Sequence, residues 1–310
     1  MRGDAPSGRS TGLKDLIAIL GPTASGKSKM AIDIAERIGA VVISVDSMQV
    51  YRGMDIGTAK PTLIERRGIP HHMIDLVDPS EEFSVANFRR IGRETMEGIE
   101  GPKMIVGGSG LHFRALVDPM SFAPTDPQLR TELEKTDTAE LVTELVEADP
   151  AAVHHVDLAN RRRVIRAVEI YRLTGETPSS RANSAEAAEL RRYQSEIQFT
   201  AIGVDPGELL EPRIDQRLEE MRHGGLFEEV ARLRGRLGRT AASAVGYREL
   251  LAHFDGETSE GEAFRAVAVN TRRLARRQRT WFQRDPRIRW VPWVDDQTDR
   301  VNRALEALEV

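Results

Sequence analysis

Cysteine is missing altogether from this 310-residue sequence. Its absence excludes structural disulfides, a thiol nucleophile and cysteine-ligated zinc, and it is compatible with a reducing compartment. Long apolar runs are missing too, since no stretch approaches the roughly 18 apolar residues of a membrane span. The opening residues MRGDAPSGRSTG also lack the apolar core of a secretory signal. We therefore expect a cytoplasmic protein with no membrane association, in which residues 1–13 form a flexible leader.

Strong charge of either sign is also lacking, because the net charge is only −4. A site for a polyanion must therefore come from locally gathered cations. Two arginine runs meet this need on predicted helices, RRRVIR at 161–166 and RRLARRQR at 272–279. Each run is compatible with a solvated face whose arginines pair with glutamates, and also with an anionic partner. Like charges at i and i+4 disfavour an isolated helix by a few tenths of a kcal/mol each, which an anionic partner would offset.

Strands and helices alternate along the first third of the chain. Apolar runs at 16–20 and 41–45 predict buried strands, with a glycine loop and a helix between them. Further strands are predicted at HHMIDLV (71–77), KMIVG (103–107) and FTAIGV (199–204), and a helix is predicted from about Ser84. This order predicts an α/β fold, with a P-loop NTPase-like parallel sheet core flanked by helices.

The middle of the chain has a different character. From Pro124 the sequence is charged and helix-rich, with almost no strand signal. We predict an inserted all-helical subdomain at 124–198, within a core domain formed by 14–123 and 199–310. In the helical C-terminal third, Val267, Leu274 and Trp281 recur every seven residues and predict one buried stripe. We expect the tryptophans to be core or interface anchors rather than stacking platforms.

The segment GPTASGKS has the spacing of a P-loop, with Gly21, Gly26, Lys27 and Ser28 at the defining positions. In such a loop backbone N–H groups wrap phosphates, the lysine neutralises terminal oxygens and the hydroxyl ligates Mg²⁺. The loop thus predicts a polyphosphate site, without saying that the ligand is a nucleotide. Asp46 follows the next strand and could organise Mg²⁺, as in P-loop kinases, or accept a proton from a nucleophile. Its local sequence is also compatible with a helix N-cap or a turn residue.

Longer motifs resemble the tRNA dimethylallyltransferase family, in its bacterial type, which attaches an isopentenyl group to the adenine following the anticodon. ISVDSMQVYRGMDIGTAKP at 43–61 is far more specific than the P-loop alone. The other matching motifs are GPTASGKS (21–28), GGSGLHFRAL (107–116), RRRVIRAVEIYRLTG (161–175), RIDQRLEEM (213–221), SAVGYREL (243–250) and TRRLARRQRTWF (271–282). They span most of the chain in the expected order.

The resemblance implies a chemistry in which the P-loop binds dimethylallyl diphosphate rather than ATP. The diphosphate would lie on Gly21, Pro22, Thr23, Ala24, Ser25, Gly26, Lys27 and Ser28, with Mg²⁺ on the Ser28 hydroxyl. The exocyclic N6 of adenine attacks the allylic carbon, and pyrophosphate leaves. Thr23, Lys27 and Arg217 would stabilise the leaving group. Asp46 would act as the general base that takes the proton of N6.

The resemblance also implies a set of tRNA contacts around an extruded adenine. Asp46, Ser47, Met48 and Gln49 would line the flipped base, and the helical insertion would contact the anticodon loop. The other implied contacts are Ser109, Arg130, Arg162, Arg163, Arg166, Ser243, Gly246, Tyr247 and Arg248. Ser28 and Ser109 replace threonines usual in the family but keep the hydroxyl, whereas His112 replaces a usual tyrosine. No protein partner is implied.

Three other functions are compatible with parts of the sequence. A small-molecule P-loop kinase would use the loop and Asp46, but has no need of two arginine runs or a helical insertion. An adenylate isopentenyltransferase would share the chemistry and act on free AMP or ADP. An RNA-binding module with an inactive loop would bind stem-loops without releasing pyrophosphate.

Overall fold

A six-stranded parallel sheet forms the centre of the protein, in a computed structural model that describes residues 16–309. The predicted leader at 1–13 lies outside the described residues. The strands are β1 (Leu16–Leu20), β2 (Val41–Ser44), β3 (His71–His72), β4 (Lys103–Gly107), β5 (Thr200–Val204) and β6 (Ile288–Val291). Their order across the sheet is β3-β2-β4-β1-β5-β6. The predicted α/β, P-loop-like fold is confirmed.

Side chains of the strands alternate between two apolar clusters, one on each face of the sheet. Leu16, Ala18 and Leu20 of β1 belong to one cluster, whereas Ile17 and Ile19 belong to the other. Successive residues of a strand point to opposite faces, so a strand buried on both sides is apolar throughout. Because all strands run in parallel, the loops that follow β1, β2 and β4 leave the same edge of the sheet.

Helices cover both faces of the sheet. Those before the insertion are α1 (Lys27–Ile38), α2 (Val85–Glu97) and α3 (Gly110–Val117). Ser84 caps α2 by accepting a hydrogen bond from the Asn87 amide, as expected for a helix beginning near that residue. Within residues 16–309, no helix combines the length and apolar character needed to cross a membrane.

A second unit comprises residues 118–196 and is entirely helical. Its helices are α4 (Pro127–Lys135), α5 (Thr138–Ala148), α6 (Arg161–Thr174), α7 (Pro178–Ala182) and α8 (Ala185–Arg191), with a 3₁₀ helix at Pro150–His154. The unit begins earlier than the predicted residue 124, because the segment before α4 is tied into it. Ser121 donates to the Glu186 carboxylate, and Arg166 donates to the carbonyls of Ala123 and Pro124.

Six helices follow the insertion in the sheet-containing unit. They are α9 (Leu210–His223), α10 (Leu226–Leu233), α11 (Arg239–Ala242), α12 (Tyr247–Phe254), α13 (Glu260–Gln283) and α14 (Gln297–Leu308), with a 3₁₀ helix at Gly207–Leu209. The prediction of a buried stripe on α13 is wrong for the last of its three residues. Val267 is buried and Leu274 is half-buried, but the Trp281 side chain is 44% exposed.

Two strands differ from the sequence prediction. The strand predicted at 71–77 is reduced to His71–His72, because Met73 and Asp75 take left-handed backbone conformations with φ of 62° and 54°. At the end of the predicted strand, Val77 forms only an isolated β-bridge with Tyr51. Strand β6 was not predicted, and it pairs with β5 at the sheet edge.

Candidate active site

The P-loop connects β1 to α1 with its backbone amides open at the start of the helix. Gly26 has a φ of 85°, and among the described residues no side chain caps this helix terminus. A Cβ at Gly21 would lie 2.3 Å from the Val204 carbonyl oxygen, so only glycine allows this approach to β5. Uncapped N–H groups at a helix N-terminus favour an anion.

Lys27 lies at the end of this loop, and its ammonium is held by a backbone carbonyl of the loop. Its Nζ donates to the Pro22 carbonyl over 2.9 Å, and the side chain is buried. Burial, followed by the positive charge of Arg217, lowers the pKa of Lys27 to about 8, while Asp46 opposes the change. Two cations therefore converge on one place, where a bound diphosphate would relieve their repulsion.

Arg217 reaches the same place from α9. Its pKa is lowered by burial and supported by Asp46 and Glu220, while Arg213 lowers it further. An arginine remains charged at any ordinary pH. The sequence-predicted cation for the leaving group is thus next to Lys27 and Asp46, in the field of both.

Asp46 follows β2 and faces the pocket. Its Oδ1 accepts the Met48 amide over 2.9 Å, so the carboxylate also holds the turn that begins there. The turn interpretation of the sequence is therefore correct, and it does not exclude a chemical role because Asp46 lines the pocket with Lys27 and Ser28.

One pocket joins the predicted site residues of the sheet-containing unit. Its P-loop wall consists of Thr23, Lys27 and Ser28. Asp46, Met48 and Gln49 lie beside that wall. The segments 57–59 and 244–246, which we call the distal wall, also line the pocket. Helices α9 and α13 contribute further lining residues: Ile214, Arg217, Leu218, Met221, Val267, Thr271, Leu274 and Gln278.

Gln278 is a pocket residue that the sequence analysis missed. Its Oε1 accepts the Thr23 amide of the P-loop over 2.8 Å. A Cβ at Gly108 would lie 2.6 Å from its Nε2, so the side chain also rests on the glycine motif after β4. The available signal was its place four residues after Leu274, on the face of α13 that lines the pocket.

The arginine run of α13 is divided between two environments. Arg272 pairs with Asp215, Arg276 with Glu211 over 2.6 Å, and Arg279 with Asp205 over 2.6 Å. For these three, pairing with acidic residues is the correct interpretation. Arg273 and Arg277 are exposed, and so is the paired Arg276, whose side chain is 67% exposed. The exposed part of the run is open to a polyanion.

Arg166 was predicted to contact RNA, but its guanidinium is engaged inside the helical unit. It pairs with the buried Glu169 over 2.7 Å and also donates to two backbone carbonyls. These contacts give it a structural role, because its donors are directed into the unit. Arg162 and Arg163 are exposed, whereas Arg130 is half-buried.

The predicted RNA contacts on the sheet-containing unit also divide by burial. Ser243 and Arg248 are exposed, whereas Gly246 and Tyr247 are buried. The Tyr247 hydroxyl donates to Glu229 over 2.6 Å. A direct contact between the Tyr247 side chain and RNA is therefore incompatible with this structure, since the ring is enclosed in the core.

Ser109 lies beside the residue that replaces the family tyrosine. Its hydroxyl is 2.7 Å from Nδ1 of His112. Burial lowers the pKa of His112 to about 4, against the opposing effect of Asp46, so the imidazole is neutral near pH 7. The ring packs edge-on against Phe88, which gives it a core position rather than a stacking surface.

The donors near the P-loop suit a magnesium ion that arrives with a diphosphate. The Ser28 hydroxyl lies at the first turn of α1 in the pocket that also contains Asp46. No cluster of three or more His, Cys, Asp or Glu residues forms a metal cage in the described part of the chain. Mg²⁺ commonly takes one or two protein ligands together with phosphate oxygens and water.

The fold and the pocket together define an α/β protein with a P-loop-like fold, in which the glycine loop after β1 shares a cavity with a carboxylate that follows β2. A family model described as IPP transferase matches residues 49–285. A second model, described as isopentenyl transferase, matches residues 14–75.

Curated relatives are similar over nearly the whole chain. A tRNA dimethylallyltransferase of Bifidobacterium animalis subsp. lactis is 43% identical over 289 residues, covering 89% of this chain and 82% of its own. The tRNA dimethylallyltransferase of Moorella thermoacetica is 43% identical over 307 residues, covering 94% and 93%.

Solved structures give the same result. The tRNA isopentenylpyrophosphate transferase of Bacillus halodurans matches with a TM-score of 0.67 and 36% identity, over 96% of this chain and 97% of its own. A eukaryotic dimethylallyltransferase acting on tRNA matches with a TM-score of 0.72 and 27% identity, over 87% and 70%. The chain belongs to the tRNA dimethylallyltransferase family, a family of prenyl-transferring enzymes.

Proposed function

We propose that this protein transfers a dimethylallyl group from dimethylallyl diphosphate to the exocyclic N6 of the adenine 3′ to the anticodon of tRNA, at position thirty-seven, and releases diphosphate. One observation carries the proposal: Asp46 lines the same pocket as Lys27 and Ser28 of the P-loop. An anion site and a base are thus next to each other, as a displacement at an allylic carbon requires.

The P-loop side stabilises the leaving group. Cleavage of the allylic C–O bond develops negative charge on the diphosphate, which Lys27, Arg217 and the loop amides would stabilise. Mg²⁺, held by Ser28 and phosphate oxygens, would supply further neutralisation of that charge. Because the two cations repel one another in the free protein, diphosphate binding also gains from relieving that repulsion.

Asp46 acts on the other reactant. The lone pair of the N6 amine is delocalised into the purine ring, so the amine is a weak nucleophile until its proton is removed. The Asp46 carboxylate, which follows β2 and lines the pocket with the P-loop residues, would accept that proton as the C–N bond forms. Ser47, Met48 and Gln49 continue the chain on the same side and would line the base.

Residues of both units would contact the RNA. In the sheet-containing unit the exposed residues are Ser243, Arg248 and the exposed arginines of α13, beside the half-buried Ser109, and in the helical unit they are Arg162 and Arg163. The target adenine leaves its stack at a cost of a few kcal/mol, which contacts in the pocket offset. The helical unit would contact the anticodon loop, and we expect the protein to work in the cytoplasm.

Mass spectrometry of an anticodon stem-loop tests the proposal. The RNA is incubated with the protein, Mg²⁺ and dimethylallyl diphosphate, then digested to nucleosides. We expect one isopentenyl group on the adenosine that follows the anticodon. An unmodified RNA would overturn the proposal, and modification of free AMP in the absence of RNA would favour an adenylate isopentenyltransferase instead.

A further inference from the structure

Glu229 is a buried carboxylate in α10 that belongs neither to the P-loop nor to the chemistry proposed for Asp46. Only 2% of the residue is exposed. Its Oε2 accepts the amides of Asp55 and Ile56 over 2.9 and 2.8 Å. Its Oε1 accepts the Gly57 amide over 3.0 Å and the Tyr247 hydroxyl over 2.6 Å. Both oxygens are thus fully used, and all four donors are neutral groups.

These donors belong to two segments that are far apart in sequence. Residues 55–57 lead into the part of the distal wall at 57–59 and share Gly57 with it. Tyr247 directly follows the part at 244–246. Glu229 therefore ties both halves of the distal wall to one point. Neither Glu229 nor Tyr247 lines the pocket itself, so any effect of the carboxylate on a substrate passes through these segments.

The two halves of the wall are also interlocked by shape. A Cβ at Gly57 would lie 2.5 Å from the Tyr247 ring, closer than any side chain tolerates. The Tyr247 ring is buried, and burial together with the Glu229 charge raises the pKa of its hydroxyl. The phenol therefore remains a hydrogen-bond donor at working pH, and its ring fixes how near residue 57 can come.

The wall in turn orients a residue next to Asp46. Nε2 of Gln49 donates to the Thr58 carbonyl over 3.2 Å, with a longer contact to the Ala59 carbonyl at 3.4 Å. Oε1 of Gln49 accepts the Ser44 hydroxyl over 2.9 Å. A shift of the segment 57–59 would therefore turn the Gln49 amide, which lines the pocket beside Asp46.

We propose that Glu229 is a positioning residue of the transfer reaction, which holds the distal wall and, through it, Gln49 in the arrangement that receives the adenine. The inference rests on the proposed function, since it assumes that the base enters beside Asp46. It assigns the distal wall to the RNA substrate and leaves the diphosphate to the P-loop wall. The two substrates should therefore respond differently when Glu229 is changed.

Glu229→Gln is the sharpest variant because it conserves size while it removes the negative charge and replaces one accepting oxygen by a donating NH₂ group. Each oxygen of Glu229 accepts at least one backbone amide. Whichever way the new side-chain amide turns, its NH₂ group must face a backbone N–H, and that segment must move. Glu228→Gln, on the exposed neighbour in the same helix, is the matched control.

The measurements are kcat and KM for an anticodon stem-loop, together with the Kd for inorganic pyrophosphate by calorimetry. For Glu229→Gln we expect kcat/KM for the RNA to fall about 10- to 100-fold, the range for losing hydrogen bonds to a charged group. We expect the Kd for pyrophosphate to stay within about twofold, and Glu228→Gln to match wild type in both.

A milder variant keeps the test decisive if Glu229→Gln folds poorly. Tyr247→Phe removes one of the four donors and should lower kcat/KM for the RNA about threefold to tenfold, with pyrophosphate affinity unchanged. Because both changes act on one hydrogen bond, the double variant should lose less than the product of the two single effects.

Two results would overturn the inference. One is an RNA kcat/KM in Glu229→Gln equal to wild type. The other is a parallel loss of pyrophosphate affinity, which would make Glu229 a general support of the fold. A wild-type protein that binds pyrophosphate but never modifies RNA would instead refute the proposed function, and the inference with it.

Discussion

The two walls of the pocket are built in opposite ways. The P-loop wall comes from Thr23, Lys27 and Ser28, which lie within one short stretch of the chain held by glycine geometry and by the start of α1. The distal wall comes from segments at 57–59 and 244–246, joined through Glu229 on a third element. A contiguous motif carries its chemistry in its own sequence, whereas an assembled wall exists only after the chain has folded. The comparison predicts that the walls can be damaged separately.

The largest effect should come from Asp46, which lies between the walls. We expect Asp46→Asn to lower the single-turnover rate about 10²- to 10⁴-fold, the usual contribution of a general base. Affinities for stem-loop and pyrophosphate should stay near wild type, because the asparagine keeps the side-chain oxygen that accepts the Met48 amide. A near wild-type single-turnover rate would remove Asp46 from the mechanism.

Gly57→Ala should damage the distal wall alone. The added Cβ would lie 2.5 Å from the buried Tyr247 ring, and overpacking of this kind destabilises by about 1–3 kcal/mol. Urea unfolding should report this loss, and RNA turnover should fall while pyrophosphate still binds. Gly98→Ala is the control, since Gly98 has a φ of −78° and ends α2 without such a contact. Equal stability of the two variants would contradict the interlocking of Gly57 and Tyr247.

The P-loop wall should respond to pH through Lys27. Burial and Arg217 lower its pKa to about 8, so the free protein loses this cation as pH rises through that value. Below about pH 7 Lys27 stays protonated, so it should add no pH dependence to the pyrophosphate affinity. Above pH 8 that affinity should weaken by up to about tenfold per pH unit. Calorimetry of wild type beside Lys27→Arg isolates the effect, because an arginine stays charged. A constant ratio of the two affinities up to pH 9 would exclude Lys27 as the titrating group.

The smallest effect concerns the exposed arginines of α13. Arg277→Ala should reduce the slope of log affinity for RNA against log salt by about 0.7, if it contacts one phosphate. Arg276→Ala should change the slope less, because Arg276 is paired with Glu211 over 2.6 Å. Salt titrations of stem-loop binding compare the two variants. Equal slopes would mean that pairing within the protein does not decide which arginines meet the RNA.

Local sequence was sufficient for the parts of the molecule that depend on neighbours in the chain. The strand at 16–20, the P-loop and the helix that follows are readable together because each sets the geometry of the next. Asp46 was readable because a buried parallel strand ends just before it, at the edge where ligands bind. The helical insertion was visible from composition, and its start was placed late because the contacts of Ser121 and Arg166 are not local.

Tertiary contacts decided the rest. Glu229 and Gln278 are ordinary polar residues in helical sequence, and their roles appear only when Gly57, Tyr247 and Thr23 come near them. Strand β6 is four residues long and forms because β5 offers an edge. The sequence identified the arginine runs, but only the structure shows which of their arginines pair with acidic residues.

Under the proposed function, the P-loop of this protein releases pyrophosphate from an allylic donor instead of transferring phosphate. The most direct measurement presents a stem-loop and Mg²⁺ with two labelled donors in one reaction, ATP labelled on its terminal phosphate and dimethylallyl diphosphate labelled in its allylic chain. We expect the allylic label on the RNA and no transfer of the phosphate label to any acceptor. Phosphate label on an acceptor, with an RNA free of the allylic label, would contradict the account.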